Sequence, residues 1–383
     1  MAADVVSRAG QPVTIFEKRK SAGRKLLIAG SSGLNISNDL PLERFAEFYS
    51  GPREFWSRVL EAFPPEAWLR FIEELGIPTF KGSTGRYFVE DMKASRLLKA
   101  WVDRLRAAGV GYEFERECTG FARSPSGRLD LSFREGATVE VDAAVFALGG
   151  GSWEPTESPL RWPAIFKAHG LRFQEFTPSN VGYRVAWSPG FLKEAEGQPL
   201  KRVVVTSARR RREGDVMVTR YGLEGTPIYF AGLTGPVQLD LKPDLEIHAI
   251  LTRMQSGTEN LSPIRAIKRY LNLCPAALAL LFHESPPEIL KDPQPERLVE
   301  RLKAFPLQLL GPQPLAEAIS AAGGLALDEL DPEFMLRDFA GVFAAGEMLD
   351  WDVPTGGFLL QACVAQGFLA GQGVLKFLQA NIK

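Results

Sequence analysis

The chain has 383 residues, 45% of them hydrophobic and 24% charged, with 45 Lys and Arg against 46 Asp and Glu. That length predicts two or three domains with ample apolar content for a core. The net charge of −1 excludes a general polyanion binder, which needs a surplus of cations, while leaving room for a local basic patch.

Cys118, Cys274 and Cys363 lie far apart with no C-x-x-C spacing. This excludes a zinc ribbon, argues against a disulfide framework and fits a reducing cytoplasm. No stretch approaches the roughly 20 apolar residues of a spanning helix. Residues 1–10 also lack the basic-then-apolar order of a signal peptide, so a soluble cytoplasmic protein is expected.

In chain order, residues 2–9 read as a helix with Gly10 in the stop position. Residues 11–17 read as a buried parallel strand that ends on Glu17. Apolar residues then recur at three- and four-residue steps from Leu42 to Leu75, which predicts two or three amphipathic helices stopped by Gly76. A further helix is predicted over 91–108, and short strands follow from Gly111. The apolar run 143–148 reads as another buried parallel strand and exits into Gly149-Gly150-Gly151.

From Asn180 to Leu241 the runs 183–187, 202–206, 216–219, 228–230 and 237–241 are strand-like, which predicts an inserted β-rich domain. Residues 246–303 turn helical and form a small helical subdomain. Strand and loop signals return after Gly311, Val342 to Ala345 enter Gly346-Glu347, and a last helix runs from about Gly357 to Leu378.

Three strand exits, at Glu17, Gly149 and Gly346, are the candidates for chemistry. In an open parallel sheet ligands bind beyond the carboxyl ends of the strands, so the three exits could share one crevice. An acid at the end of the second strand suits a ribose diol, although taken alone it reads more often as an ordinary solvated carboxylate. The G-x-G-x-x-G loop should precede such an acid by about 20 residues. Glu17 is too near Met1 for that. Strand one and its glycines are therefore expected before the present start, through a mis-called start codon, a truncated gene or a natural deletion.

Downstream, the loop 22–38 carries Gly23, Arg24, Lys25, Gly30 and Gly33 before Leu34-Asn35-Ile36-Ser37-Asn38. Its glycines permit close backbone approach and its cations could oppose a diphosphate, or the loop is merely structural. Gly356-Gly357 leads into a helix start, which presents free N–H groups to negative charge or is an ordinary capped helix.

These segments together resemble a bacterial family, the BaiN-like flavoproteins, also called aminoacetone oxidase family FAD-binding enzymes or NAD(P)/FAD-dependent oxidoreductases. The resemblance is carried by Phe16-Glu17-Lys18, by Gly23-Arg24-Lys25 with residues 33–38, and by residues 147–153. It continues through Thr219-Arg220-Tyr221-Gly222-Leu223-Glu224-Gly225 and residues 345–361, in the family's order along the whole chain.

The resemblance implies an α/β fold with a Rossmann-like FAD-binding domain built from both chain ends (1–178 and 337–383). It implies an inserted β-barrel-like domain (179–245 and 306–336) and a helical subdomain (246–305). Carried over, Glu17 would hold the adenosine ribose, with Arg24 and Lys25 beside the adenine-diphosphate half. Gly33 and Asn35 would approach the flavin side, and Gly149 would close on the adenosine end. Gly346 and Glu347 would meet the diphosphate and ribitol, and Gly356, Gly357 and Phe358 the isoalloxazine. Cys118 and Thr119 are weaker adenine contacts.

Two departures stand out: the N-terminal fingerprint is absent, and Gly30-Ser31-Ser32-Gly33-Leu34-Asn35 replaces the commoner G-x-G-R-C-N. The second removes an Arg and a Cys, so neither is a catalytic candidate here, and no acid or base is assigned because chemistry at the flavin can proceed without one visible in the sequence. The expected function is an FAD-dependent oxidoreductase acting on a small organic substrate held between the flavin and the inserted domain, with NAD(P)H as a candidate donor. The alternative is a non-catalytic, cofactor-poor remnant of the fold.

Other signals are weaker. Arg209 to Arg212 could contact RNA or form a solvated hairpin. His169, His248 and His283 share no metal-ligand spacing, so no metal site is expected. No G-x-S-x-G or H-E-x-x-H occurs, and residues 81–86 are not a P-loop.

Overall fold

The computed structural model describes residues 1–30, 33–153, 160–208, 210–232, 234–255 and 261–381. Ser31 and Ser32 of the glycine loop and Arg209 of the arginine run lie outside the described residues. The chain divides into two units, Met1–Thr177 with Ile319–Lys383, and Pro178–Ala318.

In the first unit, strands from the two chain ends meet. The apolar run before Gly149 forms β5 (Ala144–Phe146), and the run before Gly346 forms β6 (Val342–Ala344). They pair in parallel with Val342 opposite Ala144 and Ala344 opposite Phe146. Near the N-terminus, β1 (Thr14–Glu17) pairs in parallel with β3 (Gly111–Phe114). Among the described residues these two pairs form separate sheets. Exposure follows from that: β6 is buried throughout, whereas Thr14 of β1 is exposed and Ile15 and Phe16 are only half-buried, as expected for a strand with an open edge.

Around the parallel pairs lie β2 (Asn35–Asn38), in an antiparallel sheet with Arg86–Val89 and Thr79–Lys81, and a meander that opens with β4 (Cys118–Arg123). The amphipathic spacing read after Leu42 is realised in helices Arg53–Ala62 and Pro65–Glu74, which bury Trp56, Leu60, Trp68 and Ile72.

Helix α1 (Ala2–Arg8) packs against the long C-terminal helix α3 (Phe358–Ala380). A Cβ on Gly371 would come within 2.8 Å of Val5 Cβ, so the absence of side chains on α3 sets how closely the two helices approach. By length and composition α3 could cross a membrane. This corrects the expectation that no stretch is long and apolar enough. Most of α3 is buried in the protein, and a helix apolar on nearly all sides is what a core position demands.

The second unit holds a seven-stranded antiparallel sheet in the order Phe305–Leu309, Gly235–Asp240, Pro199–Thr206, Arg211–Thr219, Gly222–Glu224, Tyr183–Arg184, Gly311–Pro312. The first and last of these are separated in the chain only by Leu310, so the sheet closes on itself as a barrel does. Val203, Val205, Val216, Val218 and Leu239 point into its core. Helices between Ile247 and Lys303 pack against the same core.

The run 228–230, expected as a strand, is instead part of the helix Thr226–Ala231. Pro227 presets the helical φ in the first turn, and Gly232 closes it in the left-handed region. Three apolar residues are too few for periodicity to separate helix from strand.

Candidate functional site

At the carboxyl ends of β5 and β6, the chain turns through Gly149 and Gly346, both with positive φ. Between them lies the first turn of α2 (Arg24–Ala29), entered through a left-handed Gly23 that sets Arg24 and Lys25 at the helix start. Lys25 Nζ donates to the carbonyl of Gly150 at 2.5 Å and lies 3.7 Å from Glu347 Oε2. Arg24 Nη1 donates to the carbonyl of Trp153 at 2.8 Å.

The Glu347 carboxylate accepts from three donors: Ala321 N at 3.1 Å, Ser152 Oγ at 3.3 Å and Gly150 N at 3.4 Å. Gly150 lies close against it: a Cβ there would stand 2.8 Å from Glu347 Cδ. Lys25, Gly149 and Glu347, scattered over more than 300 positions, are thus brought together.

Beneath this cluster α3 contributes the buried Gln366 and the half-buried Cys363. Gln366 Oε1 accepts from Gly346 N at 2.6 Å, while its Nε2 has no partner among the described residues. Burial, reinforced by the charge of Glu347, pushes the Cys363 thiol up to about 12, so it is neutral at ordinary pH.

A second cluster forms where β2 meets the start of α3. Ser37 Oγ donates to Gln361 Oε1 at 2.9 Å, Gln361 Nε2 to Phe63 O at 3.0 Å, Asn38 Nδ2 to Gly356 O at 3.2 Å, and the Tyr49 hydroxyl to Phe358 O at 2.8 Å. The backbone of Gly357, at φ 91°, rests on Ser37 so closely that any Cβ would overlap the Ser37 carbonyl. No side chain caps the start of α3, so its first-turn N–H groups can meet an anionic ligand.

Asn35 turns its amide nitrogen to the carbonyls of Ser37 at 3.1 Å and Tyr87 at 3.2 Å. Gly33 lies against Met92, whose Cε would be 2.5 Å from a Cβ there. The Phe358 ring packs on Phe45 and Phe48 at 4.7 and 4.8 Å, which leaves its backbone for any ligand contact.

Glu17 stands at the end of β1, where its Oε1 accepts from Arg19 N at 2.8 Å. Cys118 and Thr119 of β4 line a cavity of about 230 Å³ together with Gly120, Arg161, Ile165 and His169. His169 Nε2 lies 3.0 Å from the Phe121 carbonyl and its ring stacks on Phe121 at 4.1 Å.

Sequence reasoning missed Ser37, Ser152, Gln361 and Gln366. For the two glutamines a signal existed: each is a polar residue in an otherwise apolar helical run.

In the barrel unit, the Tyr221 hydroxyl donates to the Glu224 carboxylate, and Gly182 has no side chain to obstruct the pair. Burial, then Glu224, holds the Tyr221 pKa well above the ordinary phenol range. Tyr229 is pushed up to about 12, by burial first and by Glu224 second. Arg210 and Arg212 lie over the Phe230 ring at 5.1 and 5.5 Å, and Arg210 Nη1 donates to the Phe230 carbonyl at 2.9 Å. These two arginines are therefore packed against their own unit.

The arrangement fits a dinucleotide. The glycine exits allow close backbone approach, a cationic helix turn flanks them, a buried amide nitrogen beside Gly346 lacks a partner among the described residues, and an uncapped helix start lies within the same chain segment.

Residues 1–373 match the family described as "HI0933-like protein Rossmann domain". The chain is 24% identical over 383 residues to the 3-dehydro-bile acid delta(4,6)-reductase of Clostridium scindens, covering 94% of this chain and 92% of that one. It is also 24% identical over 385 residues to the ribosomal RNA dihydrouridine synthase of Escherichia coli, covering 97% and 94%. Among solved structures it resembles the 3-ketosteroid-delta4-(5alpha)-dehydrogenase of Rhodococcus jostii RHA1, with a TM-score of 0.53, 14% identity and coverage of 97% and 93%. With strands from both ends joined at the glycine exits and the family match running almost the whole length, the chain belongs to the HI0933-like, or BaiN-like, family of Rossmann-fold FAD-binding oxidoreductases.

Proposed function

We propose that this flavoprotein reduces a carbon–carbon double bond conjugated to a carbonyl in a small organic substrate, with NAD(P)H as electron donor. The observation that carries the FAD site is the meeting of the 149–152 and 346–347 exits through Glu347 and Lys25. The reaction class rests on the two relatives' names, a delta(4,6)-reductase and a dihydrouridine synthase, which both describe hydrogenation of such a bond.

FAD, when bound, supplies hydride chemistry at its isoalloxazine. The chain's own residues supply binding and electrostatics. Glu17 holds the adenosine ribose, Gly149 closes on the adenosine end, and Gly346 with Glu347 borders the diphosphate and ribitol. The backbone at Gly356, Gly357 and Phe358 offers N–H groups and a helix dipole to the edge of the ring that gathers negative charge. Gly33 and Asn35 shape the same side.

The test is an absorbance spectrum after gel filtration with added FAD, followed by anaerobic assay of NAD(P)H oxidation against cyclic enones. Retained flavin bands near ~375 and ~450 nm and enone-dependent turnover are expected. Colourless protein that ignores FAD sinks the reading. It would favour the cofactor-poor alternative, for which the separation of the two parallel strand pairs speaks.

A further inference from the structure

We infer that Lys25 is a positioning residue of the dinucleotide site, which makes the Glu347 carboxylate tolerable beside an anionic diphosphate and tethers the loop after β5. The inference rests on the FAD reading above.

Glu347 is a difficult residue to have there. Its side chain is only 12% exposed, and it packs so closely on Gly150 that a Cβ there would stand 2.8 Å from its Cδ. It accepts from Gly150 N, Ser152 Oγ and Ala321 N, donors that add no full positive charge. The full charge comes from Lys25, 3.7 Å from Oε2.

The same ammonium donates to Gly150 O, so a single group neutralises the carboxylate and fixes the peptide whose N–H that carboxylate accepts. Arg24, its neighbour, donates to Trp153 O. The first turn of α2 thus holds the loop at two points three residues apart. Removing Lys25 alone leaves a nearly buried carboxylate uncompensated, which costs more than removing the pair together.

A direct lysine–phosphate contact would behave otherwise, because neutralising Glu347 would not replace a missing phosphate ligand. FAD binding to the full chain, read by quenching of flavin fluorescence, separates the two. Lys25→Met should weaken FAD binding by about tenfold or more, and Glu347→Gln sets the reference for the site without its carboxylate charge. The double variant should return to within about threefold of Glu347→Gln, a non-additivity expected of contacting charges. Lys25→Arg, which keeps the charge, should bind as the parent does.

Melting temperatures of the same four proteins without FAD should show the same non-additive order. Losses that multiply in the double variant, or a Lys25→Met protein that binds FAD normally, overturn the inference while leaving the FAD reading intact. A parent chain that takes no FAD overturns both.

Discussion

At the scale of single residues, the chemistry depends on where protons are held. Cys363 has its thiol raised from 9.0 to about 12, by burial first and by Glu347 second. In the folded state it therefore keeps its proton where the unfolded chain would lose it. The stability this contributes is fully present below about pH 9 and is lost as pH rises toward 12. Urea midpoints should fall across that window in the parent, and the fall should be shallower in Cys363→Ala. Native protein at pH 8 should resist iodoacetamide at Cys363, since the thiolate is the nucleophile, and rapid labelling there would contradict the burial.

Gly357 tests the backbone contact at the start of α3. An alanine there combines a left-handed φ with overlap on the Ser37 carbonyl, and should cost about 1–3 kcal/mol in a urea titration.

At the scale of elements, the two helices that close the Rossmann unit are joined through a groove without side chains. Gly371→Val would drive new atoms into Val5, already 2.8 Å from a single added Cβ. A loss of about 1–3 kcal/mol is expected, seen as a lower melting temperature, whereas Gly371→Ser should fall between the two.

Most elements were legible in the sequence. Long amphipathic helices declare themselves by spacing, as Trp56, Val59 and Leu60 do in Arg53–Ala62. Apolar runs ending in glycine marked β5 and β6 as parallel strands. The exceptions were short or ambiguous. Residues 228–230 are helical because of Gly225, Pro227 and Gly232 around them rather than their own composition. The apolar length of α3 went unrecognised because glutamines and glycines interrupt its hydrophobic run.

At the scale of the molecule, two units with separate cores should not respond equally to ligand. FAD present at about 100 times its Kd adds about 2.7 kcal/mol to whatever binds it. The expected calorimetric trace has two transitions, with FAD raising the one that belongs to the unit Met1–Thr177 and Ile319–Lys383. If both transitions move together, the units unfold as one.

The sequence by itself determined the family and the Rossmann character. It marked the glycine exits and the helix start as ligand-facing, and brought Arg24, Lys25 and Glu347 into candidacy. The exits, the cationic turn and the helix start follow from local rules of strand composition and glycine at turns, whereas the family and the place of Glu347 follow from the resemblance that its motifs carry. Only the tertiary structure decided that Lys25 meets Glu347 and Gly150, and that Ser37 and Gln361 bind each other across 324 positions. It also decided that Arg210 and Arg212 are held by Phe230 and that the parallel strands stand in two pairs. Such partnerships depend on distance and burial after the chain has folded back on itself, and a charge has the same local signature whether it faces water, a ligand or another charge.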